Sequence, residues 1–230
     1  MEEIYNIMGF KNSILKLMNR KYLALIHYRG NRRRIIDYIL RVRKENDMKL
    51  LVNEAYQIFM AVRSVNKIDG DMAEVGVYRG GSARIICKAK ADKSLYLFDT
   101  FEGLPDVLDV DKKETYYKGQ YFAPFEFVKK SLSREKNVEI YKGFFPDTAG
   151  PIKNKKFSFV NLDVDIYKST LDCLKFFYSR MNKGGIIMSH DYITDGKEDG
   201  GVKKAFDEFF RDKVEPIILM SGSQCLVVKV

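Results

Sequence analysis

Two groups of residues in this chain have the types and spacing that chemistry requires. The first is the segment AEVGVYRGG, Ala73 to Gly81, in which an apolar run closes on Glu74, Gly76, Tyr78, Arg79, Gly80 and Gly81 and passes to Ser82. A small-residue turn between strand and helix lets the backbone come close to a bound ligand, and the open N–H groups of the helix start point at it. Glu74 adds an acceptor for a cationic group. Asp99 follows Gly76 by twenty-three residues, where a carboxylate can grip both hydroxyls of a ribose. The plain alternative for Asp99 is a cap or turn acid ahead of Gly103 and Pro105.

The second group is acidic. One apolar run ends in Asn161-Leu162-Asp163-Val164-Asp165-Ile166-Tyr167 and the next in Ser189-His190-Asp191-Tyr192. Carboxylates two residues apart at the end of an apolar strand repel each other and lose hydration, so they need a cation, a proton or a donor in compensation. A hard divalent ion such as Mg²⁺ meets that need. The plain alternative has Asp165 capping a helix from Tyr167 and Asp191 beginning a loop.

Placing these residues together requires a particular fold. Strand-like runs fall at Met72 to Val77, Leu95 to Phe98, Val138 to Tyr141, Phe157 to Leu162, Gly185 to Met188, Pro216 to Met220 and Cys225 to Val230. Helical spacing marks Ser82 to Lys90, Ala123 to Leu132, Leu171 to Met181 and Val202 to Arg211. Such alternation predicts an α/β fold, a doubly wound, seven-stranded and mostly parallel sheet. The short turn Ser221-Gly222-Ser223 makes the last two strands an antiparallel hairpin. Ligands of open α/β sheets sit beyond the carboxyl ends of the strands, where both groups fall. Upstream, two or three short helices are expected in residues 1–47 and another from Leu51 to Val65. The expected organisation is a helical extension over residues 1–67 and a core over 68–230.

Length and composition agree. The 230 residues, 46% hydrophobic, suffice for one α/β domain with an appendage. The net charge of +9 is uneven, because Lys11 to Lys49 holds twelve Lys or Arg against three acids. A nucleic-acid partner is therefore not expected, and contact of these basic helices with a membrane surface is a weaker alternative to a solvated face. Cys87, Cys173 and Cys225 form no CxxC pair, so neither a disulfide framework nor a zinc site is indicated and a reducing cytoplasm is expected. No apolar run approaches the roughly 18 residues of a membrane span.

Several segments resemble the macrocin-type sugar O-methyltransferases, small class I enzymes that use S-adenosylmethionine (SAM). They are AEVGVYRGGSA from Ala73, LFDTFEGLP from Leu97, GFFPDT from Gly143, LDVDIYKST from Leu162, GGIIMSHDY from Gly184 and GVKKAFDEF from Gly201. The resemblance implies that Glu74, Gly76, Tyr78, Arg79, Gly80, Gly81 and Ser82 surround the methionine part of SAM. Asp99, Thr100, Phe101, Gly143, Asp147 and Asp163 would complete the cofactor wall. By the same resemblance Asp163, Asp191 and His190 would hold Mg²⁺ or another divalent cation, and Asp165 would be the catalytic base, with His190 as a second candidate. Metal-dependent relatives carry two consecutive acids where this chain has His190-Asp191, and imidazole suits transition metals better than Mg²⁺. The implied acceptor is a hydroxylated, sugar-containing small molecule, and the implied assembly a homo-oligomer. Tyr116, Tyr117, Tyr121 and Phe122 are candidates for stacking on a sugar, and Thr194 to Gly201 for a lid.

Competing classes are weaker. A nicotinamide enzyme would show G-x-G-x-x-G, whereas Tyr78 occupies the second glycine position. A nucleotide-sugar enzyme using Asp163 and Asp165 as a D-x-D pair, and a non-catalytic SAM-binding protein, are the remaining alternatives. A nucleic-acid methyltransferase lacks its N/D-P-P-Y/F motif here, and a His-Asp phosphohydrolase has only His27 and His190 to draw on.

Overall fold

The computed structural model describes residues 31–111, 116–193 and 200–230. Apart from the opening residues of the first helix, everything reported below lies in the compact unit Tyr38–Val230. Any helices in residues 1–30, and the lid segment 194–199, lie outside the described residues.

Seven strands form one sheet: β1 (Asp71–Val75), β2 (Leu95–Asp99), β3 (Val138–Lys142), β4 (Phe157–Leu162), β5 (Met181–Ser189), β6 (Ile218–Leu219) and β7 (Cys225–Val228). Their order is β3-β2-β1-β4-β5-β7-β6. The first five are parallel, and β7 runs antiparallel to both β5 and β6. Strands β1, β2 and β4 read as nearly unbroken apolar runs because helices cover both faces, which removes the alternation of a half-exposed strand. β6 is shorter than the expected Pro216 to Met220. Pro216 has no N–H to give the ladder, and the two residues that do pair are exposed at the sheet edge.

The helices are α1 (Asn31–Asn46), α2 (Val52–Ser64), α3 (Gly81–Ala89), α4 (Phe125–Leu132), α5 (Tyr167–Phe177) and α6 (Gly201–Phe210). α5 begins four residues before the expected Leu171, and its first N–H, that of Tyr167, donates to Asp111 Oδ1. Beneath α5 lies an aromatic cluster in which the Phe145 and Phe177 rings stack at 5.3 Å and Phe157 meets Phe177 edge-on at 5.2 Å. Burial of each such ring contributes about 1.5–3 kcal/mol, which fixes α5 on the sheet.

Strand order reverses at β1, whose successor β2 lies on one side while β4 lies on the other. Crossovers diverge at such a point and leave a crevice beyond the strand ends. Glu74 pairs in register with Asn161, and Leu162 with Ser189, so the two chemically suggestive groups emerge at one level of the sheet. From the other side, buried Asn46 at the end of α1 donates to the Arg79 carbonyl at 2.6 Å and to Ser131 Oγ at 2.9 Å. That tie brings Met48, Lys49 and Leu50 against the same crevice.

Candidate functional site

A cleft opens beyond the carboxyl ends of β1, β2, β4 and β5. Of the residues singled out by the sequence, Gly76, Tyr78, Gly81, Ser82, Asp99, Thr100, Gly143, Asp163, Asp165, His190 and Asp191 line it. Gly76 is required by the fold itself. Its φ is +85°, and a Cβ there would stand 1.8 Å from the carbonyl oxygen of Asp163. The close approach expected toward a ligand is thus made first toward the end of β4, where Asp163 N donates to Val75 O at 2.9 Å.

Asp99 is a turn acid that also lines the cleft. Its Oδ2 accepts from Val77 N at 2.7 Å and Tyr78 N at 2.8 Å, and its Oδ1 from Phe101 N at 2.6 Å. The carboxylate therefore braces the glycine turn while it lines the cleft, and Oδ1, with one donor, keeps acceptor capacity. Burial raises its pKa against the pull of these three donors. Thr100 lines the cleft as well, its hydroxyl donating to Gly103 O at 2.8 Å.

Five expected cofactor residues do not reach the cleft wall. Glu74 is fully buried behind Ser82; its carboxyl accepts from Asn161 Nδ2 at 2.8 Å and bonds the Ser82 hydroxyl. Burial pushes its pKa up to about 8 despite those donors, so at neutral pH it is largely an uncharged acid rather than a counter-ion for an ammonium group. The Arg79 guanidinium lies 4.5 Å over the Phe127 ring, drawn away by cation–π attraction. Gly80, at φ +78°, is the N-cap of α3, and Phe101 is buried against Phe125 at 4.9 Å. Asp147 is exposed at the head of the 3₁₀ turn Asp147–Ile152. Of the four candidate stacking rings Tyr121 alone lines the cleft, meeting Tyr78 edge-on at 6.1 Å.

The opposite wall is acidic. Asp165 and Asp191 have φ of +61° and +56°, left-handed conformations that aspartate tolerates better than most side chains. Asp165 caps no helix, since Asp111 serves Tyr167 N instead. His190 sits among carboxylates: Nδ1 is 3.0 Å from Asp191 Oδ1 and 3.6 Å from Asp163 Oδ1, and Nε2 is 3.3 Å from Glu54 Oε2. Burial works against its charge, but Asp163, Asp191 and Glu54 outweigh it and lift the imidazole pKa to about 12. Glu54 answers in kind, held down to about 2 by His190, Ser223 and Leu51 against its own burial. Burial raises Asp163 to about 6, with His190 opposing, and raises Asp165 well above the carboxylate range with the help of Asp191 and Asp163. The Tyr121 hydroxyl is pushed up to about 12 by burial and by Asp165, Asp191 and Asp163.

One donor atom from each of Asp163, His190 and Asp191 falls within 4.8 Å of the others, a set with the reach and chemistry of a divalent-cation site. Sequence reasoning missed Glu54, Asn161 and Met48 to Leu50. For Glu54 a signal existed: it is an acid on the buried stripe of α2 with Ile58, Ala61 and Val62.

Comparison with known proteins gives one family. Residues 52–218 match the macrocin O-methyltransferase (TylF) family. A relative from Streptomyces olivaceus, 8-demethyl-8-(2,3-dimethoxy-alpha-L-rhamnosyl)-tetracenomycin-C 4'-O-methyltransferase, is 30% identical over 147 residues, 57% of this chain and 56% of that protein. The mycinamicin III 3''-O-methyltransferase of Micromonospora griseorubida is 29% identical over 162 residues, 63% of each. The chain thus spans between half and two thirds of the curated relatives it matches. Among solved structures, the O-methyltransferase NovP superposes with a TM-score of 0.68 at 25% identity, covering 78% of this chain and 80% of that one. The calicheamicin methyltransferase CalS11 shares the fold, with a TM-score of 0.66 at 17% identity over 88% of this chain and 94% of that one.

Proposed function

The chain belongs to the macrocin O-methyltransferase (TylF) family, and from that premise we propose that it transfers the methyl group of SAM to a hydroxyl of a sugar-containing small molecule. One observation carries the reading: a single cleft holds a nucleoside-type wall, with Gly76, Ser82 and Asp99, opposite the half-buried acids Asp163, Asp165 and Asp191. Named relatives act on glycosylated natural products, as their own names state, which supports an acceptor of that class.

In this reading the free acceptor site on Asp99 Oδ1 takes a ribose hydroxyl, and Gly143, Phe144 and Phe145 flank the base beside it. Ser82, whose hydroxyl turns from Glu74 toward the cleft, donates to the methionine carboxylate. The acceptor hydroxyl enters from the acidic side, under Tyr121, and lies in line with the methyl–sulfur bond. Its oxygen attacks the methyl carbon, the carbon–sulfur pair leaves with S-adenosylhomocysteine, and Asp165 accepts the hydroxyl proton. Burial and two acid neighbours raise the proton affinity of Asp165, which suits it to that task.

Asp163, His190 and Asp191 would hold a divalent cation, Mg²⁺ or another. Bound there, it would polarise neighbouring acceptor hydroxyls and offset the charge of the acid rim. A reducing cytoplasm suits the chain, whose cysteines Cys87, Cys173 and Cys225 are all free.

Incubation with SAM and a panel of glycosylated acceptors, with S-adenosylhomocysteine as the readout, tests the reading. Methyl transfer to a sugar hydroxyl is expected. SAM binding without turnover across the panel would favour a non-catalytic binder, and binding of a UDP-sugar in preference to SAM would restore the D-x-D alternative.

A further inference from the structure

We propose that the cation site of this chain is built for a divalent transition ion that accepts imidazole, with His190 Nδ1 as a ligand beside Asp163 and Asp191 and with Glu54 as the residue that positions His190. The proposal deepens the methyltransferase reading and rests on it for the location of the site.

The ring of His190 is held at its far nitrogen. Nε2 lies 3.3 Å from Glu54 Oε2 and 3.1 Å from Ser223 Oγ. Glu54 is itself fixed: Oε2 accepts from Leu51 N at 2.8 Å, and Oε1 from Ser223 N at 3.0 Å and Ser223 Oγ at 3.3 Å. The Ser223 hydroxyl that points at Glu54 has its lone pairs left for Asp191 N at 3.3 Å and for the ring. Both neighbours of Nε2 therefore act as acceptors toward it, and Nε2 keeps its hydrogen whether or not Nδ1 holds an ion.

Nδ1 faces the space it shares with Asp191 Oδ1 at 3.0 Å and Asp163 Oδ1 at 3.6 Å, and a bound cation would take the place of the hydrogen that this nitrogen gives Asp191 in the metal-free chain. A histidine that gives its outer N–H to a carboxylate and its inner nitrogen to an ion is the usual second-layer arrangement of metal sites. Neutral imidazole is a nitrogen donor that suits Mn²⁺ poorly, Mg²⁺ worse, and Fe²⁺, Co²⁺, Ni²⁺ or Zn²⁺ well.

Glu54 is held there by the fold. It comes from α2, its residue surface is only 3% exposed, and a buried carboxylate is costly unless paired. Among the described residues His190 is its cationic partner. The turn Ser221–Ser223 is pressed onto it, since a Cβ on Gly222, at φ +87°, would stand 2.4 Å from Glu54 Oε1. Helix, hairpin turn and β5 thus converge on the orientation of one imidazole.

The test uses the full chain freed of metal with a chelator. Co²⁺ is titrated by its visible absorption and by calorimetry, Mg²⁺ by competition, and SAM affinity is measured on the same samples. The variants are His190→Asp and Glu54→Gln. The expected result is that His190→Asp lowers the Co²⁺-over-Mg²⁺ preference at least about tenfold and alters the Co²⁺ band, as loss of a nitrogen ligand requires. Glu54→Gln is expected to weaken Co²⁺ by about 10- to 100-fold with SAM affinity unchanged. An unchanged preference in His190→Asp would overturn the proposal, as would a wild-type protein that binds SAM but no Co²⁺; His190 would then be an imidazolium held among carboxylates. Should Glu54→Gln fail to fold by circular dichroism, the His190→Asp ratio decides alone. Failure of the wild-type chain to bind SAM would instead count against the methyltransferase reading, a separate outcome.

Discussion

Asp111 Oδ1, not Asp165, accepts the hydrogen bond from Tyr167 N at the head of α5. A capping duty that the sequence offers to the nearer acid is met from fifty-six residues away, and Asp165 is left at the cleft with a left-handed backbone and a raised proton affinity.

Asp165→Asn is therefore expected to lower turnover by about 10² to 10⁴, the usual worth of general-base assistance, while SAM affinity and melting temperature stay near wild type. Steady-state kinetics beside calorimetry checks this; wild-type turnover would remove Asp165 from the mechanism.

Asp111→Ala should behave in the opposite way. Loss of a helix-start acceptor costs about 0.5–2 kcal/mol, read by denaturant unfolding. Asp165→Asn, which keeps a side chain suited to the left-handed backbone, should show no comparable loss of stability.

Gly76→Ala tests why the first glycine of the turn is there. The added methyl collides with the Asp163 carbonyl and sits at an unfavourable φ, so destabilisation well above about 1 kcal/mol is expected even without any ligand. A variant as stable as wild type, with only SAM binding lost, would return the glycine to a purely ligand-facing role.

Glu74→Gln probes the buried acid through pH. With a folded pKa of about 8 against an ordinary value of 4.5, the native state keeps a proton that the unfolded chain releases. Its contribution is complete below the unfolded value and is lost as pH rises toward the folded one. Relative to Glu74→Gln, wild type should lose stability between about pH 5 and 8, by up to about 1.4 kcal/mol per pH unit. Parallel stability profiles for the two proteins across that window would show that Glu74 is ionised in the fold.

Much of this was legible in the residues because α/β sheets announce themselves. Unbroken apolar runs gave β1, β2 and β4, and the acids that follow such runs had to meet at the switch point between β1 and β4. What escaped was set by partners distant in the chain. Glu74 reads as a ligand acid, yet Asn161 and Ser82 enclose it; Arg79 reads as part of the cradle, yet Phe127 claims its guanidinium. Glu54 lay in a helix read as an extension ahead of the core, and only its place on an apolar stripe hinted that it is buried. No local pattern states that α2, the turn Ser221–Ser223 and His190 meet.

Calorimetric titration of the full chain with SAM tests the central claim most directly. The account predicts saturable binding at one SAM per cleft, because Gly76, Ser82 and Asp99 line a single cavity with the acid rim. No heat of binding from a folded protein, with or without a divalent cation, would contradict it.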